Sequence, residues 1–286
     1  MPDGDPPREF AGIRSRLCER ASGIRSWVRA RATTFALAAL AAVVVFVVAS
    51  VVFPYHSTNH DEAVYLQQAA MLLEGRVFLR PPVPEAFRPW FFVRDGDAMY
   101  AKYTPVAAAV FALGRAVAGS YRVALAVVAA GNVALVVALG REAFDRRTGL
   151  LAGALLLTAP LFVVSSSVFL SYAPTTFFNL AFAYAYVRSA RESGGAPVGV
   201  GSLSLGTGNR SLSLGASRRS LAWAVVASVA VGLAFFARPY TAVLFATPFV
   251  AHAAYRVFVV RSQPALAANV ATGALGVAFV ALTLAY

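Results

Sequence analysis

The chain has 286 residues, of which 59% are hydrophobic and only 13% charged, and its mean hydropathy is +0.66. A soluble domain carries about a quarter charged residues, so a water-soluble globular architecture is excluded. The formal net charge of +12 would suggest nucleic acid in a soluble protein, but here the basic residues flank apolar runs, where they set membrane topology.

Residues 1–32 form a basic arm with seven arginines, expected in the cytoplasm. Its one cysteine, Cys18, is the only cysteine of the chain, so no internal disulfide forms. The run 33–53 is uncharged, spans about the 20 residues of a bilayer crossing and lacks a small-residue cleavage site, as an uncleaved anchor does. Residues 54–121 are expected as a long external loop, rich in proline and aromatic residues and holding six of the thirteen acids. Within it, Asn59 followed by Glu62 marks a helix start. The helix 60–74 places Tyr65, Leu66, Ala69, Leu72 and Leu73 on one face, with Gln67, Gln68 and Glu74 off it, which suits the headgroup plane. Further spans are expected at about 123–140, 149–169, 173–187, 220–237, 240–257 and 265–286, grouped as 122–192 and 220–286. Between the groups, 193–219 is a Gly/Ser-rich cytoplasmic linker with SLSLG twice repeated.

The short stretch 104–119, which carries Arg115, decides the orientation. If it does not cross, seventeen arginines face the cytoplasm against Arg238 alone in the short outer loops. If it crosses, ten of them move outside, against the positive-inside rule. It is therefore read as re-entrant or interfacial. The expected fold class is an all-α integral membrane protein of about seven transmembrane helices. Its N-terminus is cytoplasmic, and its first external loop carries interfacial helices.

No acid follows Glu192, so carboxylate chemistry on the outer face must come from the external loop. Asp61 and Glu62 are the only adjacent acidic pair there. Acids in a first helical turn also complement the dipole, so spacing leaves a structural and a catalytic reading both open. Lys102, Arg122 and Arg238 are external cations able to meet an anionic headgroup or to anchor at the interface. Tyr100, Tyr103, Tyr121 and Tyr240 read as belt residues. His56 and His60 lack partners at a metal-ligand spacing, and no phosphate-cradling glycine loop precedes a helix. No metal or cofactor is expected.

The run DEAVYLQQAAMLLEG at 61–75 resembles the first-loop motif of family 39 GT-C glycosyltransferases, which include protein O-mannosyltransferases and lipid A aminoarabinose transferases. Tyr100-Ala101-Lys102-Tyr103-Thr104-Pro105 is similar to the family's lysine–proline motif, and 144–162 to its basic inner turn and following span. The resemblance covers about residues 55–190. It implies an inverting sugar transfer from a polyprenyl-phosphate carrier, the donor substrate, to a protein, glycan or lipid acceptor at the extracytoplasmic face. Asp61 is implied as general base and Glu62 as its support. Lys102 is implied on the lipid phosphate and Arg122 near the same helix start. Tyr65 belongs to the matched motif and counts with the substrate-binding residues, while Arg238 is added from topology alone. The chain departs from the family where a second external aspartate precedes x-Pro, for it has Tyr172-Ala173-Pro174. Members are usually longer, so a truncated chain and a partner supplying missing helices are expected. The alternative reading is a non-catalytic membrane assembly or binding subunit, or one part of a split glycosyltransferase.

Overall fold

The computed structural model describes residues 31–87, 89, 91–193, 218–261 and, near the C-terminus, 269–270, 273, 276–279 and 281. The basic arm up to residue 30, linker residues 194–217 and most of the last expected span lie outside the described residues.

The first helix, α1 (Arg31–Val51), has 21 residues at a mean hydropathy of 2.7. At 1.5 Å per residue it is about 30 Å long, which matches the hydrocarbon thickness of a bilayer. The segment after it carries α2 (His60–Leu73), an antiparallel hairpin of β1 (Phe92–Asp95) and β2 (Ala98–Ala101), and α3 (Val106–Ala118). There follow α4 (Tyr121–Ala143), α5 (Arg146–Thr158), α6 (Pro160–Ser166), α7 (Tyr172–Glu192), α8 (Arg218–Ala237) and α9 (Pro239–Ala254). A π turn at Tyr255–Val259 continues α9. Among the described residues, α1, α4, α8 and α9 with its π turn are long and apolar enough to cross a membrane, and α5 with α6 adds a bent fifth. The protein is a helical, membrane-embedded one.

Local sequence accounts for most of the boundaries. Asn59, extended, accepts the Asp61 N–H at 2.9 Å and caps α2 as expected. The hairpin is the one sheet among the described residues. It turns at Gly96-Asp97, the two residues between the paired Asp95 and Ala98, where Gly96 takes φ 62°, the left-handed value of a two-residue hairpin turn with glycine in its first position. The expected short segment becomes α3, whose 13 residues make about 20 Å, too short to cross alone. Gly119 ends it in the left-handed conformation at φ 73°. The span expected at 149–169 is broken: α5 and α6 meet at 68°. Pro160 opens α6, and its ring holds Ala159 in an extended conformation that stops α5.

The buried face of α2 also differs from expectation. Glu62, Val64, Tyr65, Gln68, Ala69 and Met71 are buried, whereas Leu73 is exposed. The reason is that α2 packs on α3, and Gln68 Nε2 donates to the Tyr103 carbonyl at 3.0 Å. One polar side chain thereby becomes an inward one.

Helix α7 is central, packing against α4, α8 and α9. It carries Asn179 and Thr175 in its buried face and Arg188, Arg191 and Glu192 near its end. Small residues line many contacts, including Ala107, Ala108, Ala124 and Ala129 near α3 and α4, and Ala185, Ala227 and Ala230 between α7 and α8. In a membrane, where no hydrophobic effect drives helices together, close backbone approach supplies the contact. The α4–α5 pair shows it best: a Cβ on Gly140 would stand 2.6 Å from the Gly149 Cα, and one on Gly149 2.5 Å from the Val137 carbonyl oxygen.

A leucine at 149 therefore wedges the pair apart. We expect Gly149→Leu to cost about 1–3 kcal/mol through overpacking. Leu151→Ala, at a side chain 64% exposed, should change stability by less than about 1 kcal/mol. Thermal unfolding of both variants in detergent checks this, and equal losses would refute the close α4–α5 contact.

Candidate functional site

Four chain connections converge on one pocket of about 340 Å³. The start of α2 contributes Asp61 and Tyr65, the segment before α3 contributes Tyr103, the start of α7 contributes Tyr172, and the α8–α9 turn contributes Arg238. Asp61 is the one acid and Arg238 the one cation among its described lining residues.

Each is placed by its local backbone. Asp61 sits in the first turn of α2, where the Asn59 cap fixes the helix start. Its Oδ1 accepts the Tyr103 hydroxyl at 2.9 Å. Tyr103 stacks on Tyr65 with ring centroids 5.1 Å apart and 18° between planes. Tyr65 in turn meets Phe111 of α3 edge-on at 6.4 Å, so the phenol that contacts Asp61 is backed by a packed aromatic row. Arg238 is the N-cap of α9, extended, with Pro239 opening the helix behind it. Its guanidinium lies 4.3 Å above the Tyr172 ring, a cation–π contact that holds the charge over the pocket.

The electrostatics follow from burial. The Tyr103 hydroxyl is pushed well above the ordinary 10.0 by desolvation first, then by its hydrogen bond to Asp61 and the charge of that carboxylate. Burial also raises Tyr65, offset in part by a hydrogen bond with Ser171. Both phenols stay protonated at physiological pH, and Tyr103 is a permanent donor to Asp61.

Glu62 faces the other way. It is completely buried, and its Oε1 accepts the Ser57 N–H at 2.8 Å and the Ser57 hydroxyl. Its Oε2 accepts the Phe169 N–H at 2.8 Å. It therefore does not close a capping box on Asn59; it ties α2 to the segment between α6 and α7. Lys102 is exposed and lies 5.5 Å over the Phe91 ring, outside the pocket lining. Arg122 donates Nε to the Ala49 carbonyl at 3.0 Å and Nη2 to that of Pro54. It thus caps the end of α1 and is also outside the lining. Of the six residues singled out by sequence, the pocket gathers Asp61, Tyr65 and Arg238.

Two residues read as belt tyrosines, Tyr103 and Tyr240, line the pocket. For Tyr103, adjacency to Lys102 in the lysine–proline motif was the available signal. Tyr172 occupies the position where the resembled family has its second aspartate, so a ring under Arg238 stands where a carboxylate was sought. No three His, Cys, Asp or Glu side chains gather as a metal site among the described residues.

The two acids should separate in stability. Glu62→Ala strands buried donors at Ser57 and Phe169 and should cost about 2–4 kcal/mol; Asp61→Asn, with one hydrogen bond at stake, should cost about 1 kcal/mol or less. Thermal unfolding of the two variants tests the difference, and parity between them would refute the split. The sign for Tyr103 is also fixed: a raised folded pKa gives stability that is complete below about pH 10 and lost as pH rises toward the folded value. Tyr103→Phe should therefore flatten the fall in Tm above pH 10 relative to wild type, in scans at stepped alkaline pH.

Compared with protein-family models, curated proteins and solved structures, the chain matches none.

Proposed function

We propose that the chain is a membrane glycosyltransferase that moves a sugar from a polyprenyl-phosphate carrier onto an acceptor hydroxyl, with inversion, at the extracytoplasmic face of the cell membrane. One observation carries the reading: a carboxylate, Asp61, and a guanidinium, Arg238, line the same pocket of about 340 Å³. That pocket lies at the end of the bundle where α7 and α9 begin. The arginine-rich turns, Arg141 to Arg147 and Arg188 to Arg191, lie at the other end. With those turns in the cytosol, the pocket opens outward. The full arrangement is seven spans with a cytoplasmic N-terminus.

The chemistry needs a base and an anion holder. Asp61 takes the proton of the acceptor hydroxyl as its oxygen bonds to the anomeric carbon. The bond from that carbon to the phosphate oxygen breaks, and the electron pair leaves with the polyprenyl phosphate. This is general base catalysis joined to electrostatic stabilisation of a leaving group. Arg238 is assigned to the phosphate, because it is the cation of the pocket. Lys102 and Arg122 are not, because each is engaged elsewhere. Glu62 supports Asp61 by fixing the first turn of α2.

A second reading, a non-catalytic binding subunit or part of a split enzyme, draws on Tyr172 in place of a second carboxylate. Purified protein and labelled polyprenyl-phosphate hexoses and pentoses, with protein, glycan and lipid acceptors, separate the two. Under the enzyme reading, Asp61→Asn lowers kcat by about 100-fold or more while donor binding persists. Arg238→Ala weakens donor binding about tenfold or more, and Lys102→Ala leaves it unchanged. Donor binding without transfer by wild type supports the subunit reading, and no donor binding at all overturns both. An impermeant amine reagent on intact cells should label Lys102, the only lysine; labelling only after lysis defeats the outward-facing pocket.

A further inference from the structure

The arginine-rich end of the bundle treats its arginines unequally. Arg188 pairs with Glu142 at 3.2 Å and with Glu192 at 3.5 Å, and Arg191 also pairs with Glu142. These pairs use the acids that α4 and α7 bring to this end. Arg256 is different. It is only 8% exposed, and among the described residues it joins no ion pair. Its hydrogen bond there runs from Nη2 to the Ser193 carbonyl at 3.4 Å, longer than the usual range of about 2.7–3.2 Å for N–H···O.

A guanidinium presents five N–H donors and cannot shed its charge, and a buried charge is costly unless paired. The nearby polar groups do not supply the missing anion. Ser193 Oγ donates to the Ser189 carbonyl at 2.9 Å and meets Ser220 Oγ at 2.5 Å, so these hydroxyls answer one another. Tyr186 and His252 share a hydrogen bond of 2.8 Å. The carbonyl end of α7 offers a partial charge of about −0.5, half of what Arg256 carries.

The backbone at this point is unusual too. Arg256 lies in the π turn Tyr255–Val259, and such turns are frequent at functional sites. Arg256 is buried, yet Tyr255, Phe258, Val259 and Val260 around it are exposed apolar or aromatic side chains. A desolvated fork beside an apolar outer wall is complementary to a headgroup phosphate with its acyl chains.

We propose that Arg256 binds a phosphoryl group at the arginine-rich end of the bundle, supplied by a membrane phospholipid. The guanidinium fork suits bidentate phosphate contacts, Phe258 and Val259 flank the acyl chain, and the basic turns nearby draw anionic headgroups. This site is separate from the Asp61 pocket and stands whether or not that pocket transfers sugars.

The test uses the full purified chain in detergent, titrated in parallel with dioleoyl phosphatidylglycerol, with diolein of the same chains, and with inorganic phosphate. Melting temperature and lipid retained in native mass spectrometry are read for wild type, Arg256→Gln and Arg256→Lys. Phosphatidylglycerol should be retained and raise Tm in wild type, diolein should not, and Arg256→Gln should weaken the effect about tenfold or more, as loss of a charge-assisted contact does. Arg256→Lys keeps the charge but not the fork, and should bind more weakly than wild type; it carries the test if Arg256→Gln fails to fold. A Tm rise with inorganic phosphate that is lost in the variants also supports a phosphoryl site, with a soluble source. Equal stabilisation by diolein, or variants that bind like wild type, overturns the proposal.

Discussion

The pocket depends on a carboxylate that never reaches it. Removing a carboxylate from water costs several kcal/mol unless its oxygens are fully met, and Glu62 is completely buried. It is met by both donors of Ser57 on one oxygen and the Phe169 N–H on the other. Those bonds join the loop after α1, the first turn of α2 and the buried segment before α7. Successive helical residues point about 100° apart, so with Glu62 turned into the core, Asp61 is turned to the pocket. The same clamp fixes the segment running into Ser171 and Tyr172, which form the facing wall. The acid that looks like half of a catalytic pair is the frame for the other half.

The remaining wall arrives from far along the chain. Asp61 and Arg238 share a lining only because α7 runs the depth of the bundle and α8 returns beside it. The α8–α9 connection is Arg238 alone, held extended ahead of Pro239, so the guanidinium cannot drift far from the Tyr172 ring. Small residues make this return possible: Ala227 and Ala230 of α8 sit against Ala185 and Ala190 of α7, so backbones approach and shape complementarity does what the hydrophobic effect does in water.

What could be read from the sequence followed from local physics. Asn59 announced α2, the brevity of 104–119 announced a helix too short to cross alone, and apolar length announced α1, α4, α8 and α9. The break at Pro160 was also locally encoded, though hydropathy averaged over it. The site was harder because its distinctions are long-range. Lys102, Arg122 and Arg238 are alike in sequence: each is a cation at an interface. Arg122 is spoken for by carbonyls 68 and 73 residues away, and Lys102 by a ring folded back from Phe91. Only Arg238 is left facing an acid. Tyr103 is distinguished in sequence only by its place beside Lys102 in the lysine–proline motif, since its stacking on Tyr65 is a long-range contact. The inward turn of Gln68 likewise depends on a carbonyl 35 residues distant.

The charge inventory of the pocket bears on whether one acid and one cation suffice for the proposed transfer. A polyprenyl-phosphate sugar brings a single negative charge, to which Asp61 adds one and Arg238 subtracts one. After transfer, Asp61 is neutral and the phosphate carries the second charge. The pocket's total is therefore unchanged; negative charge has moved from the carboxylate to the group beside Arg238. In a partly desolvated site, moving charge toward a fixed cation is favourable where creating new charge is not. Tyr103 holds Asp61 Oδ1, which leaves Oδ2 to receive the acceptor's proton. A second carboxylate at the position of Tyr172 would add negative charge beside the departing phosphate, so under this mechanism the ring there keeps the field of Arg238 available to the leaving group.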